Sequence, residues 1–362
     1  MKIAFITNCL EPGKDGVGDY AMPLARECAR RGNATRLMAL NDPYVDAPLV
    51  NENSLRVSTK SPWKERVEKA REYVAAFSPD FVSVQFVAYG FHPRGIDPAL
   101  TRRLSAIIGS RPVHFMFHEL WIGAEKGARL KDRLMGMMQR SGILGMVRSL
   151  DTRKVHTNTA AYATLLRAHG VAASTLPLFG SIPLPPPGLA ARVQGETTVF
   201  GMFGALHPVW QPEPLFSLLR ASGKKIVIAH IGRLGVTGEP LWKKLNHDYA
   251  GSIEFRRLDE QPPEKIADFF RAEIDYGIAT TPWGLIGKSA TVVSMLEHGL
   301  PVIVNRDDWQ TGATPDQGPV SPLLIKMDGT LAEKLRVTPR GEPFSLLPGV
   351  ATQFLGDLEQ TL

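Results

Sequence analysis

Three stretches of the sequence set residues able to hold an anion or move a proton beside an apolar run. In the first, Gly13, Gly16 and Gly18 lie between an apolar stretch at 2–8 and a helical one, with Asp19 directly after. Glycines allow tight turning and close backbone approach, and a helix start offers unpaired N–H groups to an anion. The spacing G-x-x-G-x-G is not the dinucleotide pattern G-x-G-x-x-G, and the nearest acidic candidate after the second strand, Asp42, sits beside Pro43. A plain strand-to-helix turn would use the same glycines. In the second stretch, the apolar run 112–117 ends in His118 and Glu119. The carboxyl end of a strand is where ligands of α/β sheets bind. His118 could hydrogen-bond a hydroxyl or a charge developing on a leaving group, and Glu119 could orient it or bind hydroxyls itself. A histidine that merely caps the strand is the alternative. In the third, Gly287, Lys288, Ser289 and Thr291 open a helix, bringing backbone N–H groups, one ammonium and two hydroxyls together, as phosphate binding needs. It is not a Walker loop, because Pro282 stands where that loop needs its first glycine; a capped helix with a solvated lysine is the alternative.

A fourth stretch, 85–95, mixes Phe86, Tyr89 and Phe91 with His92, Arg94 and two glycines. Rings cover the apolar face of a pyranose while polar groups read its hydroxyls, so Tyr89, His92 and Arg94 are candidate acceptor contacts. Packing of the loop on its own domain would use the same aromatics.

These stretches need elements to position them. Short apolar runs at 2–8, 35–40, 80–86, 112–117 and 154–157 read as buried strands, with amphipathic helices at 19–31, 63–77 and 158–169 among them. Gly170 is placed to end the last of these helices. Residues 176–188 contain Pro177, Pro183, Pro185, Pro186 and Pro187, which no central strand or helix accommodates. Strand patterns then restart at 197–204, 225–231, 252–256, 276–280, 301–304 and 323–326. Alternation of strand and helix implies parallel sheets covered by helices on both faces. The expected fold class is therefore α/β, with two Rossmann-like, doubly wound domains facing each other across a cleft. The boundaries read as 1–178, a proline-rich connector at 179–196, a second domain at 197–345, and a closing helix at 346–362 that crosses back to the first domain.

Composition excludes some classes. With 44% hydrophobic and 22% charged residues the chain is globular. No window reaches the roughly 18 apolar residues of a membrane span, and the first apolar run is too short for a signal core. Cys9 and Cys28 lack metal-ligand spacing, so a reducing, cytoplasmic setting is expected. The absence of a signal core also argues against a two-lobed solute-binding protein. The net charge of +6 suits an anionic ligand or an anionic membrane surface. Peripheral membrane contact would use Arg102, Arg103, Arg129, Lys131 and Arg133. Nucleic acid is not an expected partner, because basic runs interleaved with aromatics are lacking.

The segment from Gly16 to Tyr20, with Leu24, Ala25, Arg31 and Gly32 downstream, resembles the first strand-to-helix loop of glycosyltransferase family 4 and its relatives. The resemblance spans most of the chain. It implies the GT-B fold, a nucleotide-diphosphate sugar as donor substrate, no cofactor, no metal, and retention of anomeric configuration. It places Gly16, Val17 and Gly18 by the donor diphosphate, Asp19 by the acceptor, and His118 against the donor sugar. It also places Gly204 in the diphosphate loop of the second domain, and Arg257 and Leu258 beside the nucleotide base. The acceptor it implies is sugar-containing or lipid-linked. The sequence departs from the family where two glutamates are usual: aligning on Gly299 and Pro301 puts Ile286 and Ser294 there, with Glu297 one turn on. The usual arginine and lysine of the diphosphate loop are Ala205 and Trp210, with His207 nearby. Lys288, Ser289 and Thr291 are therefore expected to grip the diphosphate. The alternatives are a non-catalytic nucleotide or sugar binder, or another GT-B activity such as a sugar-nucleotide epimerase or a phosphorylase.

Overall fold

The computed structural model describes residues 1–186, 192–193, 195–311 and 321–361. The chain divides into two compact units. The first is built on Met1–Leu178 and Leu347–Leu362, the second on Phe179–Gln310 and the described part of Asp316–Leu346.

The first unit opens with β1 (Lys2–Thr7), α1 (Gly16–Arg30), β2 (Ala34–Asp42), β3 (Leu49–Val50), β4 (Ser54–Ser58) and α2 (Trp63–Phe77). It continues with β5 (Phe81–Phe86), α3 (Ala88–Phe91), α4 (Leu100–Ile108), β6 (Val113–Phe117), α5 (Leu130–Ser149), β7 (Thr152–Thr157), α6 (Ala160–Arg167) and β8 (Ala173–Thr175). The sheet order is β3-β4-β2-β1-β5-β6-β7-β8, parallel except for the β3–β4 edge. Strand order reverses between β1 and β5. The carboxyl ends of these two strands flank the crevice in which a doubly wound sheet binds its ligand.

The second unit contains β9 (Thr197–Phe203), α7 (Glu213–Ala221), β10 (Lys225–Ile231), α8 (Gly238–Tyr249), β11 (Glu254–Arg257) and α9 (Pro263–Asp268). Next come β12 (Tyr276–Ala279), a 3₁₀ turn at Trp283–Lys288, α10 (Ala290–Glu297), β13 (Val302–Val304), β14 (Leu324–Lys326) and α11 (Leu331–Val337). Its parallel sheet runs β11-β10-β9-β12-β13-β14, with the reversal between β9 and β12. The chain ends in α12 (Leu347–Glu359), which belongs to the first unit. Phe354 of α12 lies against the rings of Phe5 and His114, and Arg31 of the first unit donates to Thr352 and to the Pro348 carbonyl.

Local chemistry explains the element boundaries. α1 begins at Gly16, ahead of the start expected at 19, because the Asp15 carboxylate accepts from the Val17 and Gly18 N–H groups and caps it there. α6 is followed by Gly170 at φ +78, a left-handed position that glycine takes without strain. The long helix α5 has no counterpart in the sequence pattern, since Gly136, Gly142 and Gly145 and outward apolar residues blur its stripe. Gly136 is required by packing: a Cβ there would meet the Ile122 carbonyl oxygen at 1.9 Å. Pro177, Pro183, Pro185 and Pro186 lie in irregular chain. Pro187, Gly188 and the rest of the expected connector at 189–191 and 194 fall outside the described residues.

Candidate functional site

In the first unit, the carboxyl ends of β1, β6 and β7 gather a buried polar group: Thr7, Asn8, His118, Thr157, Asn158 and Thr159. The Thr157 hydroxyl and the Asn158 Oδ1 are buried with no hydrogen-bond partner among the described residues. Native proteins seldom leave such atoms unpaired away from a ligand. His118 is held on three sides. Its N–H donates to the Phe86 carbonyl, its carbonyl accepts from Asn158 Nδ2, and its Nε2 meets Gln85 Oε1 at 3.0 Å. The Tyr20 ring stands edge-on to the imidazole. Burial pushes the His118 pKa down to about 3, so the ring is neutral at physiological pH. Gln85, not an acid, holds its Nε2. Glu119 follows at half-burial.

The glycine loop differs from its expected role. The Val17 and Gly18 N–H groups are both engaged by the Asp15 carboxylate, whose other oxygen accepts from Asn8 Nδ2. This helix start already holds an anion, its own aspartate, so Gly16, Val17 and Gly18 present no open amide pair to a diphosphate. Gly18 serves packing instead: a Cβ would come within 2.4 Å of the Cys9 carbonyl oxygen. Asp19 closes the loop by accepting from the Gly13 N–H, and burial raises its pKa.

The aromatic loop is fastened by a residue that sequence reading missed. Gln139 of α5, almost fully buried, donates to the Tyr89 hydroxyl and the Arg94 carbonyl and accepts from the Ile122 N–H. The only cue was a glutamine in the middle of a helix whose other polar residues are charged or serine. Tyr89 and Arg94 are exposed, while His92 accepts from the Arg94 N–H.

In the second unit, Gly204 follows β9 at φ +76, and a Cβ on it would meet Thr291 Cγ2 at 3.0 Å. The loop after β9 thus lies on the N-terminus of α10. Ser289 caps that helix, accepting from the Val292 N–H, and its hydroxyl pairs with that of Thr291 at 3.0 Å. The Gly204 N–H is spent on the Ile231 carbonyl and its carbonyl accepts from His230 Nε2, so Gly204 contributes space, not a donor. Lys288 is half-buried at the end of the 3₁₀ turn.

Arg306, past the carboxyl end of β13, is a cation at this site that the sequence reading did not single out. It pairs with both oxygens of Asp308 and donates to the Thr280 carbonyl. The His207 pKa is pushed down by loss of water around the ring and by nearby Arg306 and Lys288, with Asp308 opposing. The His207 N–H donates to the Thr280 hydroxyl. Two cations, a neutral imidazole and two hydroxyls thus collect around the loop after β9.

Residues at the departed family positions have structural work. Trp210 is buried and donates from Nε1 to Asn305 Oδ1 at 2.6 Å. Ser294 accepts from the Ser181 N–H, and the two oxygens of buried Glu297 accept from the Gly180 and Leu346 N–H groups. The expected base contacts are also engaged: Arg257 pairs with Glu239 and Asp259. The Leu258 N–H donates to the His230 carbonyl, and its own carbonyl accepts from Gln261. Among the described residues, no group of three or more histidine, cysteine, aspartate or glutamate side chains could hold a metal ion. Cys9 and Cys28 are free and buried, and burial pushes each thiol up to about 12.

No family model and no curated protein matches the sequence. Solved structures do. The chain is similar to HepE of Anabaena, solved with UDP and glucose, at 13% identity and TM-score 0.54, covering 100% of this chain and 91% of that one. It is similar to the catalytic domain of starch synthase IV from Arabidopsis thaliana, bound to ADP and acarbose, at 12% identity and TM-score 0.58, covering 99% of each. An α-glucosyltransferase solved with UDP-glucose and DNA matches at 11% identity and TM-score 0.54, over 99% of this chain and 92% of its own. Ligands as unlike as acarbose and DNA accompany one architecture, so the architecture does not select an acceptor. With two parallel-sheet units matched over essentially the whole length, this chain has the GT-B glycosyltransferase fold.

Proposed function

We propose that this protein transfers a hexose from a nucleotide-diphosphate sugar to an acceptor, with the diphosphate held at the carboxyl ends of the second sheet. The observation that carries this reading is the seat of side-chain-free Gly204 against Thr291, next to Ser289, with Lys288 and Arg306 both acting on His207. An anion placed there meets positive charge and hydroxyl donors in a partly desolvated setting, where charge-assisted hydrogen bonds are strong. As the bond between the anomeric carbon and the diphosphate breaks, these cations stabilise the departing oxygen, while the acceptor hydroxyl adds to that carbon and gives its proton to the departing diphosphate oxygen. Positioning and leaving-group stabilisation then supply the rate, without a carboxylate dyad, with retention and without a metal. In the first unit, His118 is assigned to a hexose, and Asp19, Tyr89, His92 and Arg94 to a sugar-containing or lipid-linked acceptor.

A panel of UDP-, ADP-, GDP- and TDP-hexoses, scored for donor hydrolysis and transfer with and without chelator, tests the reading. Turnover of one donor with the anomeric configuration kept is expected. Saturable binding with no turnover on any donor would instead favour a non-catalytic binder, a reading supported by the commitment of Trp210, Ser294 and Glu297 to structural bonds.

The protein is further proposed to be cytoplasmic and to touch anionic membrane through α5. That helix exposes Leu130, Leu134, Met137 and Met138, and its period places exposed Lys131 and Arg133 on either side of them. Arg103 is not part of this face in charge terms, being paired with Asp97. No helix among the described residues is long and apolar enough to cross a membrane.

A further inference from the structure

One face of the first sheet carries an unbroken line of polar side chains where apolar packing is the rule. It starts at Asp357 on α12 and ends at His118. Asp357 Oδ2 meets His156 Nε2 at 2.9 Å, and His156 Nδ1 meets His114 Nε2 at 3.0 Å. His114 Nδ1 meets the Ser83 hydroxyl at 2.8 Å, and Gln85 Nε2 donates to that same hydroxyl at 2.8 Å. Gln85 Oε1 then meets His118 Nε2 at 3.0 Å. Ser83, Gln85, His114 and His156 are all fully buried. Alternation along β5 puts Ser83 and Gln85 on one face, and His114 of β6 and His156 of β7 join them from the neighbouring strands.

The partners fix the direction of every bond. A carboxylate only accepts, so His156 carries its proton on Nε2 and offers Nδ1 as an acceptor. His114 Nε2 must then be the donor, which leaves His114 Nδ1 to accept from the Ser83 hydroxyl. The Ser83 oxygen accepts from the Gln85 amide nitrogen, so the Gln85 carbonyl faces His118 and accepts from Nε2–H. Burial holds all three imidazoles neutral, with His156 pushed down to about 4 and His114 well below its ordinary value. A neutral ring with Nε2 protonated has a lone pair on Nδ1. The opposite polarity would set the lone pair of His156 Nε2 against the Asp357 carboxylate.

We propose that Asp357 is a positioning residue that sets the tautomer of His118 through this chain of five hydrogen bonds, leaving Nδ1 of His118 as a fixed acceptor. The inference deepens the proposed function and rests on it for one consequence only. At a sugar-binding site such a ring accepts from a hydroxyl; it has no proton on Nδ1 to offer the departing diphosphate. With its pKa near 3, His118 takes a hydrogen bond, not a proton. The tautomer itself is independent of what the site binds.

The test is ¹⁵N side-chain NMR on the full-length protein, in which two-bond couplings separate Nε2–H from Nδ1–H rings, with resonances assigned by single histidine substitutions. Asp357→Asn is nearly isosteric. Lys154 Nζ also donates to Asp357, at 2.8 Å. The single carbonyl oxygen of the variant is therefore drawn to the lysine, and its amide nitrogen donates to His156. Every link then reverses. The wild type is expected to show Nε2–H on His156, His114 and His118 near pH 7. Asp357→Asn is expected to move all three to Nδ1–H. In Ser83→Ala, which cuts the chain, the same aspartate substitution should still switch His156 and His114 but leave His118 unmoved. Nδ1–H on His118 in the wild type, or an unaltered His118 in Asp357→Asn, would overturn the proposal. Failure of every nucleotide sugar to bind would sink the functional reading and leave this result standing.

Discussion

Gly204 and Thr291 stand so close that a Cβ added to the glycine would touch the threonine methyl at 3.0 Å. The positive φ of +76 compounds the restriction. Gly204→Ala therefore forces the loop after β9 away from the start of α10, at a cost of about 1–3 kcal/mol in backbone strain. Nucleotide affinity is expected to fall about tenfold or more, with a lower melting temperature. Calorimetric titration of the variant checks this, and undiminished affinity would remove Gly204 from the site.

Gln139 ties the aromatic loop and the segment around Ile122 to α5 through one side chain. In Gln139→Leu the Ile122 N–H loses its acceptor, and the Tyr89 hydroxyl and Arg94 carbonyl lose their donor. A buried unpaired polar group costs about 1–3 kcal/mol. Urea unfolding should show a loss of that size, and the acceptor KM should rise more than the donor KM. Equal changes in both would mean that the aromatic loop does not serve the acceptor.

The buried histidines make stability depend on pH in a known direction. In the unfolded chain they titrate near 6.5, whereas burial holds His156 to about 4 and His118 to about 3, with His114 also well below its ordinary value. Between these limits the unfolded state binds more protons, so their contribution is present above about pH 6.5 and is lost progressively as pH falls toward about 3. Replacing His114 with glutamine removes one titrating ring. The slope of unfolding free energy between about pH 6 and 5 should then flatten by roughly 1.4 kcal/mol per pH unit. Matched slopes in urea titrations of the two proteins would contradict this.

Membrane contact through α5 requires its apolar stripe and its cations together. The double variant Leu130→Ser, Leu134→Ser should lose sedimentation with anionic vesicles at low salt, and wild-type binding should weaken as salt rises. Retained binding by the variant, or none by the wild type, removes the helix from that role.

Much of the architecture was legible because a buried parallel strand is an apolar run between turn residues. The runs at 2–8, 80–86 and 112–117 became β1, β5 and β6 with ends shifted by a residue at most. Strands β3 and β8 were not legible, being short and at the sheet edges, where burial imposes little pattern, and β4 was not because Arg56 separates its buried Leu55 and Val57, leaving no apolar run. The sites were harder. A glycine loop announces close backbone approach but not whether its amides are free, and only the fold reveals Asp15 already seated on Val17 and Gly18. Arg306 and Asp308 look like surface charges in sequence, yet the parallel pairing of β12 with β13 brings Arg306 onto Thr280. The Asp357–His156 contact joins residues 201 positions apart, a separation that no local pattern encodes.

The most direct test of nucleotide-sugar chemistry at the second sheet is calorimetric titration of wild type and Lys288→Ala with UDP, GDP, ADP and TDP. One nucleotide should bind the wild type, and the substitution should weaken it more than about tenfold, roughly 1.4 kcal/mol, the scale of one charge-assisted contact. Equal affinity in the two proteins, or no binding of any nucleotide to the wild type, would contradict the proposal.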